Sequence, residues 1–199
     1  GEFMNNGSDH AYDVNGDGWT DVISNGWFDD QNVYWYQNPG EAGGTWEKHL
    51  IVESKGTEFT FFEDLDDDGD PDLIPTHWED TELFWVENTG DGFVKHVIGE
   101  HGLSHGLGFG DLNADGRKDI TTTKGWYEAP EDRTREWTWH PAFESARIQM
   151  ASMPMIIHDV NADGRNDIIY GEAHSYGLFW LEQMPDASFE RHTIDLSWS

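Results

Sequence analysis

The chain has 199 residues, no cysteine, and 40 acidic against 11 basic side chains, giving a formal net charge of −29. So acidic a surface repels nucleic acid and anionic membranes, and the lack of cysteine excludes disulfides, thiolate metal sites and a cysteine nucleophile. Aromatic residues make up 14% of the chain. Because acidic disordered segments are poor in aromatics, this composition predicts a folded protein. No apolar run reaches the length of a membrane-spanning helix, and we expect no membrane insertion.

The first residues, "GEFMNNGS" at 1–8, are typical of a tag or linker. They lack the basic start and apolar run of a signal peptide. The sequence therefore leaves the cellular compartment open and predicts a folded region over residues 9–199.

A nine-residue acidic pattern occurs four times, starting at Asp13, Asp64, Asp111 and Asp159, with start-to-start spacings of 51, 47 and 48 residues. In each repeat an apolar strand precedes the pattern, and a β-branched run, an aromatic strand and a last strand follow it. Four short antiparallel strands at such a period are typical of a β-propeller blade. The sequence predicts an all-β protein, a β-propeller of four-stranded antiparallel blades, four in this chain. The predicted blades span about 9–54, 55–99, 100–148 and 149–199.

Within each pattern, positions 1, 3, 5 and 9 carry oxygen-bearing side chains and position 6 is glycine. Ca²⁺ takes six to eight oxygen ligands at ~2.3–2.6 Å, whereas Mg²⁺ demands a strict octahedron and keeps several waters. The glycine permits the sharp bend that such a loop needs. We therefore predict about four structural Ca²⁺ ions, one per repeat. The predicted ligands are Asp13, Asn15, Asp17, Asp21, Asp64, Asp66, Asp68, Asp72, Asp111, Asn113, Asp115, Asp119, Asp159, Asn161, Asp163 and Asp167.

This loop, in repeats of blade length, resembles the FG-GAP/VCBS propeller family from about residue 9 to 196. The segments "GWYEAP" at 125–130 and "HGLGFGDLNADGR" at 105–117 are most similar to the propeller module of aldos-2-ulose dehydratase-type proteins. The resemblance implies a carbohydrate-related propeller in a secreted or periplasmic protein. Such propellers have seven or eight blades, so we expect a homo-oligomer, or further blades or domains, to complete the ring.

Residues that recur at one blade position are interpreted as architecture, since catalytic groups have no reason to repeat. The recurring histidines, tryptophans and acidic or amide residues are predicted to be packing and inter-blade bonding groups. They are His49, His96, His140, His192, Trp35, Trp85, Trp126, Trp180, Gln37, Glu87, Glu128 and Glu182.

Non-recurring polar and aromatic residues concentrate in segments 25–31, 76–82, 100–106 and 171–177. In propellers of the resembled family the acidic loop joins strands one and two, so these segments would meet at the opposite face. The candidate catalytic residues are His77, His101, His105 and His174. The candidate substrate-binding residues are Trp27, Trp78, Glu172 and Tyr176.

Imidazoles, carboxylates and aromatic rings on one face suit two tasks. Neutral histidines with a carboxylate could hold Zn²⁺ or another divalent ion. Alternatively, tryptophan could stack on a sugar while histidine and tyrosine act as acid and base. The first hypothesis is therefore sugar or polysaccharide binding, with dehydratase- or lyase-type β-elimination as its catalytic form. The alternatives are a non-catalytic adhesion or protein-interaction module, a self-associating half-propeller fragment, and histidines scattered over a surface.

Overall fold

The structure is a computed structural model that describes residues 6–26, 30–103, 105–144, 146–149, 151 and 154–197. The regular structure of the described residues is β-strand apart from one 3-10 turn, and the strands form mostly antiparallel sheets, which confirms the predicted all-β, β-propeller-like fold. The chain divides into two compact units, residues 1–103 and 104–199. Within the described residues, no helix has the length and apolar character needed to cross a lipid bilayer.

The first unit contains two four-stranded antiparallel sheets whose strands follow chain order, one for each of the first two repeats. The first sheet begins three residues before the predicted folded region. Its strands are β1 (Asn6–Tyr12), β2 (Asp21–Gly26), β3 (Val33–Gln37) and β4 (Glu47–Val52). The second sheet contains β5 (Thr57–Glu63), β6 (Asp72–His77), β7 (Leu83–Asn88) and β8 (Phe93–Gly99).

The two sheets of the first unit pack through apolar faces and through their first strands. A buried cluster that includes Ile23, Val33 and Phe84 forms the core. Beside it, Ser8 Oγ donates to the Asn25 side chain at 2.6 Å and accepts the backbone N–H of Thr60 at 2.9 Å. These buried polar groups are paired, as burial requires.

The second unit contains a single eight-stranded sheet built from repeats 3 and 4. The third repeat supplies β9 (Gly108–Gly110), β10 (Asp119–Thr121), β11 (Gly125–Glu128) and β12 (Thr138–Pro141). The fourth supplies β13 (Met155–His158), β14 (Asp167–Gly171), β15 (Leu178–Gln183) and β16 (Phe189–Asp195).

The junction of this sheet is a parallel pairing of β9 with β13, which the sequence did not predict. Gly108 lies opposite Met155, and Phe109 lies opposite Ile156. A Cβ atom at Gly108 would approach the Met155 carbonyl oxygen to 2.5 Å, so glycine permits this contact. Two predicted blades thus share one hydrogen-bonded sheet in this unit.

In every repeat the acidic loop joins the first and second strands, as predicted. The connection between the third and fourth strands lies at the same end of the strands as the acidic loop, and we call this the loop end. The connection between the second and third strands lies at the opposite end of the strands, which we call the far end. The far-end connections are residues 27–32, 78–82, 122–124 and 172–177.

Candidate functional site

The acidic loops of repeats 1, 3 and 4 share one network of hydrogen bonds. In repeat 1 the Asp13 carboxylate accepts the backbone N–H groups of Asp17 at 3.1 Å and Gly18 at 2.8 Å. The Asn15 amide donates to the Asp17 carboxylate at 3.0 Å. The same bonds recur at matching positions in repeats 3 and 4. In each of these loops, hydrogen bonds therefore link the side chains of positions 1, 3 and 5 through the loop backbone and the position-3 amide.

The glycine at position 6 is the backbone requirement of this turn. Its φ angle is +89° in Gly18, +99° in Gly69, +88° in Gly116 and +87° in Gly164. Side chains other than glycine adopt this region at a cost, because the Cβ atom meets the following carbonyl. The sequence motif and the backbone conformation therefore agree in all four loops.

The aspartate at position 9 has a structural role that the sequence did not predict, because its carboxylate hydrogen-bonds both the loop and the third strand of the sheet. Asp167 accepts the N–H of Val160, at position 2 of its loop, at 3.0 Å, and the N–H of Gln183, at the end of β15, at 2.8 Å. The other three loops have equivalent pairs of bonds. All four closing aspartates are fully buried. The signal in the sequence was their place at the first residue of each second strand.

Burial makes two of these carboxylates costly to ionise. It raises the pKa of Asp72 to about 7 and that of Asp119 to about 6, although two backbone N–H groups oppose the shift in each case. Nearby aspartates of the same loop add to it by repulsion. A cation among these oxygens would relieve both effects.

The second loop is the most acidic of the four. It has Asp66 where the other loops have asparagine, and carboxylate oxygens of Asp64, Asp66 and Asp72 lie within 4.8 Å of one another. Burial raises the pKa of Asp66, and repulsion from Asp68 contributes in the same direction. Among the described residues, this is the one place where three carboxylate, imidazole or thiolate groups come so close.

Position 7 varies between loops. Repeats 3 and 4 have Arg117 and Arg165, each of which pairs with the position-5 carboxylate of its own loop. Their Nε atoms donate to the carbonyls of Ala129 and Gln183, at 2.7 and 2.8 Å. Repeat 1 has Trp19 at this position, and 42% of this residue is exposed. The four loops thus share a backbone conformation at position 6 but differ in the charge of the residue at position 7.

The donor set of the four loops fits Ca²⁺. Every candidate ligand is a carboxylate or amide oxygen, and such hard oxygens are the ligands that Ca²⁺ prefers. Carboxylate oxygens that accept one N–H keep a further lone pair for a cation. The crowding of negative charge is therefore compatible with a metal in each loop.

The recurring histidines form bonds within one repeat, so the prediction of inter-blade bonding was wrong. His96 pairs with Glu87 at 2.6 Å, and His140 and His192 pair with the equivalent glutamates at 2.8 and 2.7 Å. Each histidine also lies against the tryptophan opposite it, with ring centroids 4.2–4.8 Å apart. Because these contacts join the third and fourth strands of one sheet, their role is architectural, as predicted. In repeat 1, His49 lies against Trp35 but Gln37 replaces the glutamate.

At the far end of the first unit, His77 is buried and is the last residue of β6. Its Nδ1 lies 3.0 Å from the carbonyl of Lys55, and this acceptor makes Nδ1 the protonated nitrogen. Burial lowers the pKa of His77. Trp78 is 36% exposed beside it, and His101 is exposed on the link to the second unit. Trp27 lies outside the described residues.

At the far end of the second unit, the rings of His105 and His174 meet edge to face, with centroids 5.4 Å apart. The Glu172 carboxylate lies 3.5 Å from the Arg191 guanidinium, which stacks 3.6 Å from the Phe179 ring. Tyr176 is 63% exposed. Of the four candidate catalytic histidines, the structure thus pairs two, whereas His77 and His101 belong to the other unit.

The predicted transition-metal site has no assembled ligand set in the described part of the chain. In that part of the chain, no histidine nitrogen lies within 4.8 Å of two other potential ligand atoms that are themselves this close to each other. Zn²⁺ or another divalent ion at the far end therefore stays a prediction.

Strand–acidic loop–strand units repeated along an all-β chain define a class of propeller-like repeat proteins. The profile of the FG-GAP-like repeat family matches residues 13–74 and 64–122, which together span more than half of the chain. The chain belongs to the FG-GAP-like repeat family.

Comparison with solved structures shows the same fold. A lectin from Agrocybe aegerita, whose structure is titled for specific recognition of non-reducing terminal N-acetylglucosamine, matches with a TM-score of 0.56 at 19% identity. The match covers 96% of this chain and 52% of the lectin chain, so this chain spans about half the length of that protein. No curated protein matches the sequence.

Proposed function

We propose that the protein is a calcium-stabilised repeat module that binds carbohydrate. The observation that carries the calcium part is the shared loop, in which oxygen-bearing side chains at positions 1, 3 and 5 precede a buried closing aspartate in every repeat, and three carboxylates come within 4.8 Å of one another in the second. The oxygen-only donor set excludes soft metals as the preferred occupants. In the second loop, Asp64, Asp66 and Asp72 would hold the ion, which would supply positive charge between three crowded carboxylates.

Removal of calcium tests this part of the proposal. We expect EDTA to lower the melting temperature by several degrees or more, because the folded state binds Ca²⁺ and the unfolded chain does not. Added Ca²⁺ should restore the transition, whereas Mg²⁺ at the same concentration should restore it less. Atomic absorption of the purified protein should find about four Ca²⁺ per chain. A melting curve that EDTA leaves unchanged would exclude structural calcium.

Two features support carbohydrate as the ligand. The chain shares its fold with a lectin over nearly its whole length. Large aromatic rings are exposed at the far end of each unit, Trp78 in the first and Tyr176 in the second. Exposed rings of this kind offer an apolar face to a sugar and a polar edge to its hydroxyl groups.

Binding to immobilised N-acetylglucosamine oligosaccharides tests this part. We expect millimolar to micromolar affinity in Ca²⁺, and a loss of affinity in Trp78→Ala or Tyr176→Ala. Glu63→Gln, a change at the other end of the first unit, should leave the affinity unaltered. Absence of binding to any neutral oligosaccharide would contradict the carbohydrate function while leaving the calcium function intact.

A catalytic form of this function is the second candidate. The contact of His105 with His174 favours it, because paired imidazoles can serve as acid and base in β-elimination from a sugar. Such a carbon–oxygen lyase would match the dehydratase-type resemblance. Incubation with 1,5-anhydrofructose or a uronate polymer, followed at the absorbance of the unsaturated product, distinguishes it from binding alone. Loss of turnover in His174→Gln would support it, and no turnover by the intact protein would overturn it.

A further inference from the structure

A cavity of about 410 Å³ opens at the loop end of repeat 1. Asp17 and Trp19 line it from the acidic loop. The connection between β3 and β4 lines the other side, including a 3-10 turn at Gly40–Ala42. None of the far-end candidates contributes to this cavity.

The cavity lies where repeat 1 departs from the other repeats. Its position-7 residue is Trp19, where the others have an aspartate or an arginine. Its β3 residue Gln37, which also lines the cavity, stands where the others have glutamate. Its connection between β3 and β4 spans residues 38–46, against 89–92 in repeat 2 and 184–188 in repeat 4. Two residues particular to repeat 1 and a connection longer than those of repeats 2 and 4 therefore meet in one concave surface.

In repeat 3 a connection of the same length is filled by its own side chains. Its connection, residues 129–137, is as long, but Arg133 and Trp137 fold into it and are 6% and 3% exposed. The Trp137 indole N–H donates to the Arg133 carbonyl at 3.0 Å. In repeat 1, by contrast, Trp19 and Trp46 are 42% and 40% exposed.

Trp19 is held in place by the turn beneath it. Gly40 has a φ of +60°, and a Cβ atom there would lie 2.8 Å from the Trp19 indole nitrogen. The indole therefore lies against the bare backbone of Gly40 and keeps the rest of its surface open. A ring positioned by backbone rather than by a mobile side chain is suited to stacking.

The polar groups around the cavity are hydrogen-bonding and acidic. The Gln37 side-chain amide makes no hydrogen bond among the described residues, and Thr45 adds an exposed hydroxyl. Carboxylates come from Asp17, Glu41 and Glu47, and none of the lining residues is basic. Anionic ligands are repelled by such a lining. The carboxylates can accept hydrogen bonds from the hydroxyl groups of a neutral sugar, and the Gln37 amide can both donate and accept them.

We propose that this cavity is a binding site for a neutral pyranose ring, stacked on Trp19 and hydrogen-bonded by Gln37, Thr45 and the carboxylates of Glu41 and Glu47. The inference rests on the proposed carbohydrate function and adds a site at the end of the first unit opposite to Trp78. Aromatic stacking with a few convergent polar groups is the usual composition of a small-molecule site of this size.

The test is calorimetric titration in saturating Ca²⁺ with methyl β-glucopyranoside, N-acetylglucosamine and glucuronate. We expect Trp19→Ala to weaken binding of the two neutral sugars at least tenfold and Trp19→Phe to weaken it less. Trp46→Ala is the matched control, because Trp46 is equally exposed and adjacent but does not line the cavity. Gly40→Ala should also weaken binding, since its methyl group would displace the indole. Thermal melts of each variant verify that it is folded.

The outcomes separate this site from the general function. Neutral-sugar binding that Trp19→Ala leaves unchanged but Trp78→Ala or Tyr176→Ala abolishes would overturn this site and keep the carbohydrate function. No binding of a neutral sugar by the unaltered protein would overturn both. Glucuronate binding as tight as that of the neutral sugars would overturn the assignment of an uncharged ligand. Loss in Trp19→Ala with retention in Trp46→Ala would support the proposal.

Discussion

At the scale of single residues, the closing aspartates combine two roles in the same atoms. Their carboxylates accept backbone N–H groups from both sides of the loop, and the proposed ion would use the remaining lone pairs. A buried carboxylate that accepts two backbone N–H groups stabilises the fold even without a metal. The structural role can therefore be measured separately from the proposed metal role.

Asp167 offers this measurement. We expect Asp167→Ala, in EDTA, to lower the free energy of unfolding by about 2–4 kcal/mol, because the buried N–H of Gln183 and the partly buried N–H of Val160 lose their acceptor. Asp167→Asn keeps one acceptor oxygen and should lose about half as much. Urea denaturation followed by circular dichroism gives the values. Asp186→Ala, in the exposed turn between β15 and β16, is the control and should change little. A similar small change in Asp167→Ala would contradict this structural role.

His77 makes stability depend on pH. Burial lowers its pKa below the ordinary value of 6.5, so below that pH the unfolded chain binds a proton that the folded chain resists. Its contribution to stability is therefore present above about pH 6.5 and is lost as the pH falls toward the lowered value. We expect His77 to contribute a decrease in the free energy of unfolding as the pH falls from 7.5 to 5. Asp72 and Asp119, whose pKa values burial raises to about 7 and about 6, contribute in the opposite direction over this range.

The variant His77→Gln should reduce that slope, because glutamine does not titrate. Urea midpoints at several pH values measure it, and His174→Gln serves as the control in the second unit. Part of the slope should persist, since burial also lowers the pKa of His10. Equal slopes in His77→Gln and the unaltered protein would show that His77 does not carry the effect.

At the scale of elements, a hydrogen bond between histidine and glutamate joins the third and fourth strands in repeats 2, 3 and 4, and repeat 1 lacks it. Gln37→Glu would restore the carboxylate that the other repeats place near the histidine, here His49. We expect it to raise the free energy of unfolding by about 0.5–1 kcal/mol, because the buried Nε2 of His49 has no hydrogen-bond partner among the described residues.

The reciprocal change, Glu182→Gln, removes the partner of His192 and should lower the free energy of unfolding by a similar amount. Denaturant titration of both variants measures the pair. If both changes lowered the free energy of unfolding, a glutamate at position 37 would not stabilise repeat 1 as the equivalent glutamate stabilises repeat 4. Gln37→Glu also adds a charge to the lining of the proposed sugar site, so its sugar affinity should fall as its stability rises.

Local periodicity is what made the elements predictable. The position of each acidic loop follows from the motif, and the strands on either side follow from the apolar runs around it. Pairing between repeats was not predictable, because the close approach at Gly108 depends on which backbone lies opposite and not on the glycine itself. The partner of His96 was missed for the same reason, since a diagonal contact depends on strand register. Far-end residues such as His77 were recognised as unusual, but their burial follows from tertiary packing.

At the scale of the whole molecule, charge dominates. Four Ca²⁺ ions, each adding two charges, would change the formal net charge from −29 to −21. Like charge on this scale opposes both compaction and contact between copies. Binding of Ca²⁺ to all four loops should therefore reduce the negative charge along the whole chain. Its effect on association between copies should be larger than that of one ion bound at a single loop.

We expect the protein to self-associate, and Ca²⁺ to promote it. Apolar side chains such as Val97 and Ile194 are exposed on the strands β8 and β16. Exposed apolar residues on strands at the edge of a sheet favour pairing with another chain, whereas the net negative charge opposes it. Sedimentation velocity in Ca²⁺ should therefore show more dimer or higher oligomer than in EDTA at equal ionic strength. Val97→Lys should reduce association and Glu63→Lys should not. A protein that stays monomeric in both buffers at about 100 µM would contradict this prediction. That concentration is well above a dimer dissociation constant in the range of about micromolar to tens of micromolar.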